Sequence, residues 1–265
     1  MSRRASISLF LAAVLALPLA AIAWGSIDDI RYKLKGSDGN LWAPYLARCG
    51  KVRGDECPGA IAFTFDDGPD HRTTPILLDE LDRLGIKAAF FINGHRVHWK
   101  TAGGAENRSV LREIHSRGHF IGNHTFSHAD VTALDENGWR LEVRQVTRIV
   151  RGVTGRRPWL FRPPFGRLGD EGMARLAREG YTVVMWKLDP LDWKAETPTE
   201  LLQRTRRVIE ENPEGGVILF HDTNRNTVES FGLIVEWIRE RNARLAARGE
   251  KGLEIVGLES FVRRR

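Results

Sequence analysis

Cysteine is scarce in this chain: two residues, Cys49 and Cys57, among 265. That excludes a fold built on a disulfide framework and a zinc site made of four cysteines. Runs of like charge are missing too, apart from Arg263 to Arg265 at the end. Forty Lys+Arg against 34 Asp+Glu give a net charge of +6, spread along the sequence. A nucleic-acid binder concentrates its charge on one face among aromatics, so no nucleic-acid partner is expected. Internal repeats and low-complexity tracts are also absent beyond the N-terminal segment. With 42% hydrophobic residues the chain can bury a full core, which excludes disorder. An α/β barrel commonly uses about 200 to 250 residues as one unit, so this length does not force a split.

One long apolar run is present. Arg3 and Arg4 precede an uncharged, Leu- and Ala-rich stretch from Ile7 to Trp24, which ends in Ala21-Ile22-Ala23. A positive start, an apolar middle and small residues before a cut describe a secretory signal. Residues 1–23 are therefore expected to export the protein to the periplasm, envelope or exterior. At 18 residues the run is also long enough for an uncleaved membrane anchor. Removal of residues 1–23 takes away two arginines and no acid, which lowers the charge from +6 to +4. In an oxidising compartment Cys49 and Cys57 are expected to pair across a short loop as a staple.

From residue 59 the chain alternates. Apolar, β-rich runs occur at Ala60 to Phe65, Ala88 to Ile92, Phe120 to Gly122, Trp159 to Phe161, Thr182 to Leu188, Val217 to Phe220 and Leu253 to Val256. Amphipathic stretches separate them; Leu77, Leu78, Leu81 and Leu84 share one helical face. Thr197-Pro198-Thr199-Glu200 supplies a cap, a first-position proline and a first-turn acid for a helix start. Seven strands with intervening helices predict parallel βα units, in a barrel or a doubly wound sheet. Residues 24–58 lack this rhythm and read as an extension wrapped on a domain spanning 59–265.

Chemistry in such folds collects at the C-terminal ends of the strands. The first predicted strand runs into Asp66-Asp67-Gly68-Pro69-Asp70. Two adjacent carboxylates beside an apolar strand need a cation or a basic partner. The third runs into Asn123-His124-Thr125-Phe126-Ser127-His128. Histidines at i and i+4 project from one side of a helical turn, where both imidazoles reach one metal. Two histidines and a carboxylate leave coordination positions open, as catalytic zinc sites do. Three more clusters follow strands: Arg162-Pro163-Pro164-Phe165-Gly166, Asp189-Pro190-Leu191-Asp192-Trp193 and Leu219-Phe220-His221-Asp222.

These five clusters, in this order, resemble the motifs of the polysaccharide deacetylases, the NodB-homology domain of carbohydrate esterase family 4. The resemblance spans roughly residues 59 to 260. It implies an α/β fold, a distorted (β/α)7 TIM-like barrel, and metal-assisted removal of acetyl groups from N-acetylated sugars. By residue, Asp67, His124 and His128 match the metal ligands, and Asp66 matches the catalytic base. Arg162 matches the residue that holds the base, and His221 the general acid. Asp192 matches the acid that tunes His221, with Asp189 as the alternative. Trp193 and Leu219 match walls of the acetyl pocket. The family often has tyrosine where this chain has Phe165, whose backbone N–H is expected to bind the oxyanion. The substrate implied is a GlcNAc-containing polymer such as peptidoglycan, chitin or an exopolysaccharide.

The residues suit that chemistry. Amide hydrolysis needs an activated water, a stabilised oxyanion and a proton for the departing amine. The ligand set suits zinc, and cobalt, nickel or iron(II) would fit it as well. O-acetyl xylan esterase and cyclic-amide hydrolase are alternatives within the enzymes. A non-catalytic carbohydrate-binding protein is the alternative of another class, although such a protein should lack a base, an acid or a ligand. Trp42, Tyr45 and Trp99 are candidates to stack on sugar rings.

Overall fold

The computed structural model describes residues 51–263. Residues 1–50, with Cys49, Trp42 and Tyr45, lie outside the described residues, so the expected signal and the Cys49–Cys57 staple do too. Cys57 itself is buried.

Among the described residues, eight parallel strands form one sheet in the order β1-β6-β5-β4-β3-β2-β7, with β8 pairing β2. They are β1 (Lys51–Val52), β2 (Ala60–Asp66), β3 (Ala89–Ile92), β4 (Phe120–Asn123), β5 (Leu160–Phe161), β6 (Thr182–Val184), β7 (Gly215–His221) and β8 (Glu254–Ile255). The helices are α1 (Thr74–Leu84), α2 (Gly104–Ser116), α3 (Glu136–Trp139), α4 (Gln145–Thr154), α5 (Asp170–Arg178), α6 (Pro198–Glu211), α7 (Arg225–Ala246) and α8 (Glu259–Arg263). The sheet curls round on itself beyond β6. Leu188 bridges Ile218 of β7, Lys187 N–H donates to Val217 O at 2.9 Å and Val217 N–H donates to Gly54 O at 3.2 Å. The fold is a distorted α/β barrel, as expected.

All seven predicted strands are present, and two details differ. Lys51–Val52, inside the stretch read as an extension, pairs with β6. A strand of two residues offers no period to detect, so its place was set by its partner and not by its pattern. The fifth predicted run, Thr182 to Leu188, also stops early. It leaves the ladder after Val184: Met185 N–H makes the last bond to β1, at Val52 O, and Lys187 N–H turns to Val217 O of β7.

Sequence explains the elements that carry the site. In β2 all seven residues are buried, as a strand covered on both faces requires. Phe63 and Phe65 point to the helices and pack with Phe220 and Phe231 at 5.0–6.4 Å between ring centroids. Each such burial contributes about 1.5–3 kcal/mol. Ala62, Thr64 and Asp66 alternate onto the other face. In α1, Pro75 sits in the first turn, Leu77, Leu78, Leu81 and Leu84 are all buried, and Gly85 ends the helix at φ 71°. In α6, Thr197 accepts Glu200 N–H at 3.1 Å, so the predicted cap is formed.

Candidate active site

The five motif loops converge at the C-terminal rim. They line a cavity of about 740 Å³ whose walls include Asp66, Asp67, His124, His128, Phe165, Asp189, Trp193, Leu219 and His221. Five non-glycine residues have positive φ among the described residues: Asp67, Thr125, His128, Phe165 and Leu191, at 53–70°. Each belongs to one of these loops. Such backbone costs of order 1–3 kcal/mol per residue, and it gathers where function demands a geometry the chain disfavours.

Strand register places Asp66. Thr64 and Asp66 face the same side of β2, and both meet Arg162 at the end of β5. Arg162 Nη1 donates to Asp66 Oδ1 at 2.8 Å and to Thr64 Oγ1 at 2.8 Å. Its Nε reaches Val184 O and its Nη2 reaches Met185 O, each at 3.1 Å. The guanidinium is fully buried and lies 4.2 Å over the Phe91 ring. Burial pulls it below its ordinary pKa against the opposing pull of Asp66, yet a guanidinium stays charged.

One ligand-capable oxygen or nitrogen each from Asp67, His124 and His128 lie within 4.8 Å of one another. His124 Nδ1 donates to Arg162 O at 2.8 Å, which fixes the tautomer and leaves the Nε2 lone pair free. His124 Nε2 and His128 Nε2 lie 3.6 and 3.7 Å from Asp67 Oδ1. Burial opposes ionisation of Asp67, but His124, His128, His221 and Asn93 outweigh it and hold the carboxyl below its usual range. Burial lowers His128, which favours the neutral, ligating form. A divalent cation fits this set on donor type, count and convergence.

The histidines do not share a helical turn, contrary to the sequence expectation. Residues 124–128 form a loop with Thr125 at φ 66° and His128 at φ 63°. Side chains take the N–H groups that a helix would use: Asn123 Oδ1 accepts Thr125 N–H at 2.9 Å, and Glu142 accepts those of Phe126 and Ser127. Asn before such a stretch competes with helix by offering the backbone a local acceptor. The imidazoles converge all the same, with ring centroids 5.0 Å apart.

His221 ends β7. Asp192, fully buried, accepts His221 Nδ1–H and His221 backbone N–H, each at 2.7 Å. It also takes the Thr227 hydroxyl at 2.6 Å and Trp193 N–H at 3.0 Å. Burial works against a charged His221, but Asp192, Asp66 and Asp67 prevail and push its pKa up to about 9. Asp189 instead accepts Leu191 N–H at 2.9 Å and shapes its own loop. Phe165 and Trp193 are exposed at the cavity mouth, with Arg167 and Lys194 over their rings, and Phe165 packs edge-on against His128 at 4.6 Å. Trp99 is exposed but lies outside the lining of this cavity.

Sequence reasoning missed three supports. Asn93, just past β3, donates its backbone N–H to Gly68 O at 3.0 Å and its Nδ2 to Asp67 Oδ1 at 3.5 Å; a buried polar residue straight after an apolar strand was the available signal. Asp222, next to His221, is fully buried against Gly68 and Thr74; its place beside a motif histidine carries no sign of that support. Glu142 had no signal, because it lies mid-helix.

Comparison with known proteins agrees with this geometry. A family model described as polysaccharide deacetylase matches residues 53–184. A peptidoglycan-N-acetylglucosamine deacetylase of Bacillus cereus is 27% identical over 224 residues, covering 82% of this chain and 78% of the relative. A chitin deacetylase of Pestalotiopsis sp is 34% identical over 171 residues, covering 64% of this chain and 56% of the relative. The solved structure of T48 deacetylase with substrate superimposes with a TM-score of 0.64 at 30% identity, over 78% of this chain and 92% of that one. With the five motif loops assembled on one barrel rim and these relatives sharing both sequence and fold, the chain belongs to the polysaccharide deacetylase family.

Proposed function

We propose that this protein is a metal-dependent hydrolase that removes N-acetyl groups from a GlcNAc-containing polysaccharide. One observation carries the reading: a candidate metal triad has an arginine-held carboxylate and a carboxylate-held imidazole beside it. Asp66 Oδ2 lies 3.7 Å from His124 Nε2, and His221 Nε2 lies 3.9 Å from Asp67 Oδ2. The names of the relatives, peptidoglycan and chitin deacetylases, support the substrate class.

Asp67, His124 and His128 would hold the cation. When bound, a divalent metal polarises a carbonyl and acidifies water; zinc is favoured for its redox silence, and cobalt, nickel or iron(II) fit the same donors. Arg162 occupies Oδ1 of Asp66, which leaves Oδ2 to take the proton of the attacking water. The Phe165 N–H would stabilise the developing oxyanion. His221, held as imidazolium by Asp192, gives its proton to the departing amine nitrogen, so the two products are acetate and a free amine. Trp193 and Leu219 wall the space that the acetyl methyl fills. Export through residues 1–23, by a cut signal or a retained anchor, would bring the enzyme to a polymer outside the cytoplasm.

A substrate panel tests the reading. Chitin oligomers and peptidoglycan are expected to release acetate, while acetylated xylan is not. Release from xylan alone would establish the O-acetyl esterase alternative.

A further inference from the structure

The helix behind the histidine loop is irregular. Between α3 and α4 lies a single π turn, Arg140–Arg144, in which Gln145 N–H donates to Arg140 O, five residues back. Its sequence, RLEVR, holds no glycine or proline that would impose such a turn. A π turn is one residue inserted into an α-helix; it worsens the hydrogen bonding and recurs at functional sites.

Two groups of this turn leave the helix and grip the loop. Glu142 Oε2 accepts Phe126 N–H at 3.0 Å and Ser127 N–H at 2.8 Å, and its Oε1 accepts the Ser127 hydroxyl at 2.7 Å. The carbonyl of Val143 accepts Asn123 Nδ2 at 2.9 Å, and Asn123 Oδ1 in turn accepts Thr125 N–H at 2.9 Å. The turn therefore holds the chain from the residue before His124 to the residue before His128. What it holds is disfavoured backbone, since Thr125 and His128 both have positive φ. Successive N–H groups that point one way form a concave anion site, and a carboxylate fills it better than any neutral acceptor.

We propose that Glu142, presented by the π turn, is a positioning residue for the metal centre: it fixes the left-handed loop so that the Nε2 atoms of His124 and His128 stay converged on Asp67. This rests on the reading of those three residues as a metal site. Glu142 lines no part of the cavity, so it acts only through the ligands. A regular α-helix here would carry Glu142 and Val143 about 100° out of register and release both grips.

Zinc affinity by chelator competition, and the visible spectrum after cobalt substitution, test it on the full chain. Glu142→Ala is expected to raise the zinc dissociation constant about 10–100-fold, the scale of lost outer-shell support, and to alter the cobalt spectrum. Glu142→Gln keeps one oxygen acceptor and is expected to lose less; it decides the matter if the alanine variant does not fold. Zinc binding within twofold of wild type and an unchanged spectrum, even with a lower melting temperature, would overturn the proposal and leave the metal site standing. A wild-type chain that binds no zinc would overturn both.

Discussion

Asp66 and His221 are register partners on the adjacent parallel strands β2 and β7. One strand end thus carries the proposed base and its neighbour the proposed acid, on one face. Arg162 pins the first at 2.8 Å and Asp192 pins the second at 2.7 Å. The two side chains meet opposite charge partners, which is how neighbouring groups are assigned opposite proton-transfer roles.

Asp66→Asn separates chemistry from structure. It is expected to keep the fold and one bound zinc while losing about 10²–10⁴ in kcat, the weight of a general base. His124→Ala and His128→Ala are expected to do the reverse at the level of stoichiometry, losing zinc in elemental analysis. Full activity in the asparagine variant would remove Asp66 from the mechanism.

Asp192→Asn bears on the acid. In the proposed role the protonated form of His221 donates, so activity is expected to fall as pH rises through its pKa, which Asp192 helps to hold near 9. Without that negative charge, burial dominates and the alkaline limb of the pH–rate profile moves to lower pH by about one unit or more. A limb that stays in place would mean that another group supplies the proton.

Arg162 cannot be exchanged for another cation. Lysine cannot reproduce donors to Asp66, Thr64, Val184 and Met185 at once. Arg162→Lys is expected to cost about 10² in kcat through misplacement of Asp66. Arg162→Ala is expected to cost about 3–5 kcal/mol of stability as well, because it strands a buried carboxylate. Denaturant unfolding beside initial rates checks both.

Much of this was legible in the sequence. Continuous apolar runs such as Ala60 to Phe65 announce buried parallel strands, and polar clusters after them announce a rim. Other features have no linear trace. The i, i+4 histidines suggested a helix, yet two left-handed residues bring them together in a loop. The π turn gives Glu142 its reach only in three dimensions. Lys51–Val52 is a strand because β6 offers it an edge.

Asp222 gives a prediction about stability. Its Oδ2 accepts the Thr74 hydroxyl at 2.5 Å, Oδ1 has no hydrogen-bond partner among the described residues, and a Cβ on Gly68 would stand 2.1 Å from Oδ2. Burial raises its pKa to about 7. The folded state therefore holds this proton more tightly than the unfolded chain does. This group's contribution falls as pH rises from the usual carboxylate range to about 7, and is level above it. Asp222→Asn is expected to flatten that part of the stability curve in thermal unfolding, and Gly68→Ala to cost about 1–3 kcal/mol by overpacking. An asparagine variant with the wild-type slope would contradict the assignment.

The most direct test of the whole account is acetate release from GlcNAc oligomers by the purified chain, measured before chelation, after chelation and after zinc is restored. Release that chelation stops and zinc revives is the expected result. No release from a folded chain with zinc bound would contradict it, and would leave a narrower substrate or a sugar-binding protein without turnover as the readings to test.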